Sequence, residues 1–223
     1  MGLNNAQNRQ GHGDDRRGVR LLRVPTDDVS LVEDLSATEG FAVEPIEGDE
    51  RYDDLLSQFG PAKLVVSVST DTAFRCALSH ALAVALAKRL QMEVSALGDM
   101  EIATQEAVGN AVLHGNLALP TLRAADPSDL ERRIREIETR LKDPAYSRRR
   151  VTVACGWTES SLWVDVCDQG EGFFEAALPS ADAVAGGGRG LGMIRRLAAE
   201  VAYDQQSRRM RMTFSIAGLQ GAR

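Results

Sequence analysis

The stretch that leaves this chain least freedom is Glu101–Asn116, which reads EIATQEAVGNAVLHGN. Ile102, Ala103, Ala107, Val108, Ala111, Val112 and Leu113 give it the apolar content of a buried helix. Into that run are set Glu106, Asn110 and His114, each four residues from the next. Four residues advance a helix by about 1.1 turns, so the polar groups form one stripe, with Val108 and Val112 roughly opposite. Burying a carboxylate and an amide without partners costs on the order of several kcal/mol. The stripe must therefore meet something, and two readings are open. Either neighbouring backbone or solvent satisfies it, or a carboxylate base stands beside an amide oxygen that ligates Mg²⁺. That ion keeps several waters and takes its other ligands from substrate phosphates, so one or two protein oxygens suffice.

Two glycine-rich stretches downstream bear on the choice. The first, DQGEGF at 168–173, follows directly on the alternating strand expected at Leu162–Cys167. Glycines one residue apart permit backbone approaches that a Cβ forbids. Asp168, at the strand's end, stands where a carboxylate can accept a hydrogen bond from an exocyclic amine such as adenine's; an ordinary Asp-Gly turn is the alternative. The second, GGGRGLG at 186–192, leads into a helix expected at Met193–Ala199. Amide N–H groups at such a start favour anions, phosphates above all. Between the two, Phe174–Ala185 holds Pro179 and small residues, as a movable lid does. The spacing is not that of a dinucleotide fingerprint, and no Gly-Lys-Ser/Thr marks a phosphate loop.

Size and charge narrow the classes. At 223 residues the chain can form one large domain, or a domain with an appendage. A net charge of −6 argues against a nucleic-acid binder. No apolar run approaches a membrane span, and the polar start lacks the apolar core of a signal peptide. Cys76, Cys155 and Cys167 form no Cys-x-x-Cys pair, so reduced thiols and a cytoplasmic setting are expected. His12, His80 and His114 are too scattered in sequence to suggest a metal cluster.

Read in order, residues 1–17 are polar and expected to be disordered. A strand at Val19–Val24, a helix at Ser30–Thr38, a strand at Phe41–Ile46 and a helix at Arg51–Phe59 then suggest a small α/β appendage over 18–60, with a receiver-like order. Asp27, Asp28, Glu33 and Asp34 in it read as solvated turn and helix residues. Residues 61–218 form the main domain. Lys63–Ser69 alternates as a half-buried strand, and Ala73 to about Met92 reads as one Ala/Leu-rich helix. Gly115 supplies a helix stop. Asp126-Pro127 opens an inserted helix over 126–143, with Leu130, Ile134, Ile137 and Leu141 on one stripe that packs on the parent domain by default. Arg148, Arg149 and Arg150 read as a solvated basic turn. Val151–Cys155 and Leu162–Cys167 make a hairpin, and Arg209–Ile216 is a further alternating strand.

In order, ExxxNAxxHG, DxGxGF and GRGLGM resemble the N, G1 and G2 boxes of the GHKL ATPases, the histidine-kinase-like ATP-binding fold. The resemblance covers about residues 63–217. It implies a two-layer α/β (Bergerat) sandwich: a mixed, mostly antiparallel sheet, helices on one side, and ATP with Mg²⁺ between the helices and a lid. It further implies that Glu106 is the general base, Asn110 the Mg²⁺ ligand and Asp168 the acceptor of adenine's amine. Gly170 and Gly172 would shape that side. Gly188, Gly190 and Gly192, with Leu191 in the same run, would line the triphosphate. Arg189 would help to neutralise phosphate, and Thr213 would complete the adenine site. His114 would order the helix end.

The segments EAVGNAVLHGN and GRGLGMIRRLA are most similar to the anti-sigma-factor serine/threonine kinases of bacteria. Ala81 after His80 is unlike the acidic residue that typically follows a phosphorylated histidine. The resemblance implies an anti-anti-sigma substrate of the STAS type and a sigma factor as partners, and is compatible with a homodimer. Two other functions stay open: an ATP-gated binding module without phosphotransfer, and an ATPase domain serving a separate histidine protein.

Overall fold

A computed structural model describes residues 19–47, 52–59, 61–120, 127–170 and 189–217. Its frame is one sheet of seven strands: β1 (Val19–Leu21), β2 (Gly40–Val43), β3 (Leu64–Ser69), β4 (Arg150–Trp157), β5 (Ser161–Cys167), β6 (Glu200–Asp204) and β7 (Arg209–Ser215). They lie in the order β1-β2-β3-β4-β5-β7-β6. The first three are parallel, and every pairing from β3 to β6 is antiparallel. The sheet is thus mixed and mostly antiparallel, in an α/β architecture.

Period-two alternation sorts the strands' side chains. Leu64, Val66 and Val68 of β3, Val151, Val153 and Cys155 of β4, Leu162, Val164 and Val166 of β5, and Met210, Met212 and Phe214 of β7 all enter the main core. The helical layer supplies the rest of that core from α4 (Leu78–Leu90), α5 (Gly98–Asn110) and α8 (Arg189–Leu197). On the opposite face, Phe59 at the end of α2 (Tyr52–Phe59) covers Val65, Ala154 and Cys167, with Phe41, Ala62 and Trp163 around them. Strand β3 is therefore buried on both faces rather than half-buried.

The appendage does not close on itself. Strands β1 and β2 extend the main sheet, β2 pairing with β3 from Gly40↔Leu64 to Val43↔Ser67. Between them α1 (Asp28–Ala37) starts at an Asp27 cap that accepts Ser30 N–H at 2.7 Å. The other acidic residues there are engaged too: Glu33 and Asp34 pair with Arg23, and Asp28 accepts the Ala77 N–H. That last contact falls where the helix expected over 73–92 breaks into α3 (Thr70–Arg75) and α4. No Gly or Pro marks the break, because Asp28 and the Thr26 carbonyl, which accepts from Cys76, hold it from another element.

The inserted helix is α6 (Pro127–Lys142), followed by the short α7 (Pro144–Ser147); Asp126 lies outside the described residues. Its apolar stripe divides. Ile137 and Leu141 pack on the core, whereas Leu130 and Ile134 are exposed. Arg148–Arg150 are not a free basic turn. Arg150 is buried and donates to the Glu44 carbonyl, Arg149 donates to the Asn116 carbonyl, and Arg148 pairs with Glu47.

Candidate functional site

Helix α5 runs through the middle of the helical layer, with Ala103, Ala107 and Val108 buried and Glu106 and Asn110 half-exposed. Sequence placed those two on one stripe, and α8 crosses it. A Cβ built on Gly190 would lie 2.6 Å from Glu106 Oε2 and 3.7 Å from Asn110 Nδ2. Any larger residue would push the carboxylate aside, so glycine here is what lets the first turn of α8 reach the polar stripe. Carboxylate, amide and a glycine-bearing helix start meet at one place.

The helix then widens. Ala111–Asn116 continues α5 as a π-helical turn, a departure that recurs at functional sites. His114 lies on this turn, its Nδ1 2.7 Å from the Leu119 carbonyl. Gly115 lies under Asp168: an added Cβ would sit 2.5 Å from the Asp168 Cγ. Asn116, with no exposed surface, ties three segments together. Its amide donates to Thr70 Oγ1 at 2.9 Å and to the Arg150 carbonyl at 3.0 Å, and its oxygen accepts Gln169 N–H at 2.7 Å. The Asp168 turn is thereby fastened to the end of the helix that carries Glu106 and Asn110.

Asp168 itself is 9% exposed, and its Oδ1 accepts the Gly170 N–H at 2.8 Å. Burial pushes its pKa above the ordinary 3.8, while the Gly170 N–H and the charges of Arg208 and Arg149 pull it down. With Oδ1 engaged, Oδ2 is the acceptor left for an amine. From Glu106 to Gly115 the helix rises on the order of 10 Å, the scale of an extended nucleoside triphosphate. A base acceptor at one end and a carboxylate–amide pair at the other are the two ends such a ligand needs.

Not every expected residue joins. Gly172, Gly188 and the lid expected at 174–185 lie outside the described residues, and Arg189 is described only as the first residue of α8. The helix begins at Arg189 rather than Met193, so RGLG at 189–192 forms its first turn. Leu191 packs its side chain against the core, and Gly192 is exposed, facing away from Glu106. Thr213 is a correction. Met210, Met212 and Phe214 of β7 face the helices, so Thr213 stands on the far face of the sheet, in register with Trp163. Asn116 and Arg208 were not anticipated; an asparagine directly after His-Gly in an apolar run was the available signal for the first. A separate cleft of about 290 Å³ opens beside α5, lined by Phe74, His80, Glu101, Gln105, Gly109 and Val112. It lies on the adjacent side of the helix from Glu106 and Asn110, and its His80 is paired with Glu101 at 3.0 Å.

Among the described residues no cluster of three or more His, Cys, Asp or Glu forms a metal cage. A carboxylate, an amide oxygen and phosphate oxygens suit an ion that binds through its nucleotide. Fold and site together define a nucleotide-binding two-layer sandwich. The family model of the histidine kinase-like ATPase domain matches residues 69–215, most of the chain, and the chain belongs to that family. It is an ATP-binding domain of the histidine-kinase-like class. No curated protein matches it. No helix among the described residues is long and apolar enough to cross a membrane.

Proposed function

We propose that this chain is a cytoplasmic serine/threonine protein kinase of the anti-sigma type. It would phosphorylate an anti-anti-sigma partner and bind a sigma factor in alternation. The observation that carries the reading is the meeting of Glu106, Asn110 and Gly190. Asn110 would hold Mg²⁺ by its amide oxygen, and the ion when bound would neutralise charge on the phosphates. Glu106 would take the proton of the substrate hydroxyl as its oxygen attacks the γ-phosphorus and ADP leaves with the β–γ bridging oxygen. The first-turn N–H groups of α8 would hold the phosphate oxygens. Asp168 would accept the adenine amine through Oδ2. Three free cysteines, two of them buried with their thiols pushed up to about 12, suit a reducing compartment.

The test starts from proteins captured from the native host in ATP and then in ADP, followed by phosphosite mapping on each. A Ser- or Thr-phosphorylated partner released on phosphorylation is expected. Glu106→Gln should retain Mg·ATP affinity within about twofold, measured by calorimetry, and lose phosphotransfer by roughly 100-fold or more. Full transfer by that variant removes Glu106 from the chemistry. An ATP-dependent partner that is never phosphorylated would mark a binding module. Acid-labile, alkali-stable phosphate would point to a histidine acceptor.

A further inference from the structure

The turn between β6 and β7 brings to the site a residue that the reading above leaves unused. Asp204 closes that turn, its carboxylate accepting Gln206 N–H at 2.9 Å, Ser207 N–H at 3.3 Å and the Ser207 hydroxyl at 2.6 Å. The chain then enters β7 through Arg208, whose φ is 51°. Glycine adopts that left-handed conformation freely and arginine does not. The Arg208 side chain reaches out of the hairpin, and its Nη1 donates to the Gly170 carbonyl at 2.5 Å. Its Nε is buried with no hydrogen-bond partner. An adverse backbone angle and an unmatched buried donor both oppose folding. Neither is needed to make a turn that Asp204 already closes.

What the guanidinium does hold is a residue of the base site. Gly170 gives its N–H to Asp168 Oδ1 and its carbonyl to Arg208, so it is gripped on both sides. Below, it packs on the Gly115 backbone. We propose that Arg208 is a positioning residue for base recognition, fixing the Asp168–Gly170 turn from the neighbouring hairpin so that Oδ2 faces the ligand's amine. The charge of Arg208 beside Asp168 also favours the ionised, accepting form of that carboxylate. The inference rests on the assignment of Asp168 to adenine.

Arg208→Gly and Arg208→Asn test it, because both residues tolerate the left-handed angle and neither can reach Gly170. Calorimetry would compare ATP with purine riboside triphosphate, which lacks only the exocyclic amine. The wild-type chain should prefer ATP by about tenfold, the worth of one charge-assisted hydrogen bond. In both variants that preference should fall to within about twofold, mostly through weaker ATP binding, while the thermal midpoint holds or rises. Wild-type preference kept in both variants overturns the inference alone. Both ligands weakened alike, with a lowered midpoint, would show a folding role and overturn it too. Equal binding of the two nucleotides by the wild-type chain overturns the Asp168 assignment, and the inference with it.

Discussion

Asp168 shows at the scale of one residue how a buried carboxylate costs stability. Its carboxyl is nearly sealed and titrates above its ordinary range, first because of burial. In the window between the unfolded-chain pKa and this raised value, the folded state holds more protons than the unfolded state. Stability contributed by this group therefore falls as pH rises through that window, and the penalty is fully present above it. Asp168→Asn keeps the shape and an oxygen for Gly170 N–H and removes the charge. It should shift the urea midpoint upward at pH 7, with the gain vanishing below about pH 3, where the wild-type carboxyl is protonated in both states. Nucleotide affinity should move the other way, by roughly 10- to 100-fold, since an amide N–H₂ would face the ligand's amine. A midpoint that drops at pH 7 would mean that the carboxylate is a net stabiliser.

At the scale of elements, the join between the appendage and the ATP-binding layer is a buried cluster around Glu44. Its carboxylate accepts Ser69 N–H at 2.6 Å, the Thr72 hydroxyl at 2.8 Å and the Ser69 hydroxyl at 3.2 Å, while its carbonyl receives both Nη atoms of Arg150. Ser69 is in turn the cap of α3. Glu44→Ala would leave the Ser69 N–H and the Thr72 hydroxyl buried without their carboxylate acceptor, and should cost about 2–4 kcal/mol in urea unfolding, with the slope unchanged. Glu44 carried no signal in sequence, because its partners lie 25 residues and more away. The same holds for the break between α3 and α4 and for β6, whose side chains show no clean run of buried positions. By contrast, the Glu106–Asn110 stripe, the strand leading to Asp168 and the alternation of β7 were legible, since each depends on periodicity within a few residues. Thr213 came from the family resemblance alone, and the alternation of Met210, Met212 and Phe214 excludes it from the helical face.

For the whole molecule, the sheet argues that residues 19–47 and 52–59 are structural parts of the ATP-binding body. Leu31 and Leu35 of α1 are fully buried in the main core, and Arg89 of α4 donates to the Leu35 carbonyl. Phe59 covers Val65 and Ala154 on the other face. A chain reduced to 61–223 would bare the edge of β3 from Leu64 to Ser67, lose Glu44, and uncover apolar surface on both faces of the sheet. Such a chain should lose on the order of 5 kcal/mol or fail to stay soluble. The full chain should unfold in one step, with fluorescence of Trp157 and Trp163 on the β4–β5 hairpin and far-UV ellipticity falling together in urea. Two resolved transitions, or a truncated chain with an unchanged midpoint, would make the first 60 residues an independent unit docked on the kinase-like fold. Coincident transitions would mean that whatever acts on this appendage acts on Ser69, α3 and, through Thr70 and Asn116, on the turn that holds Asp168.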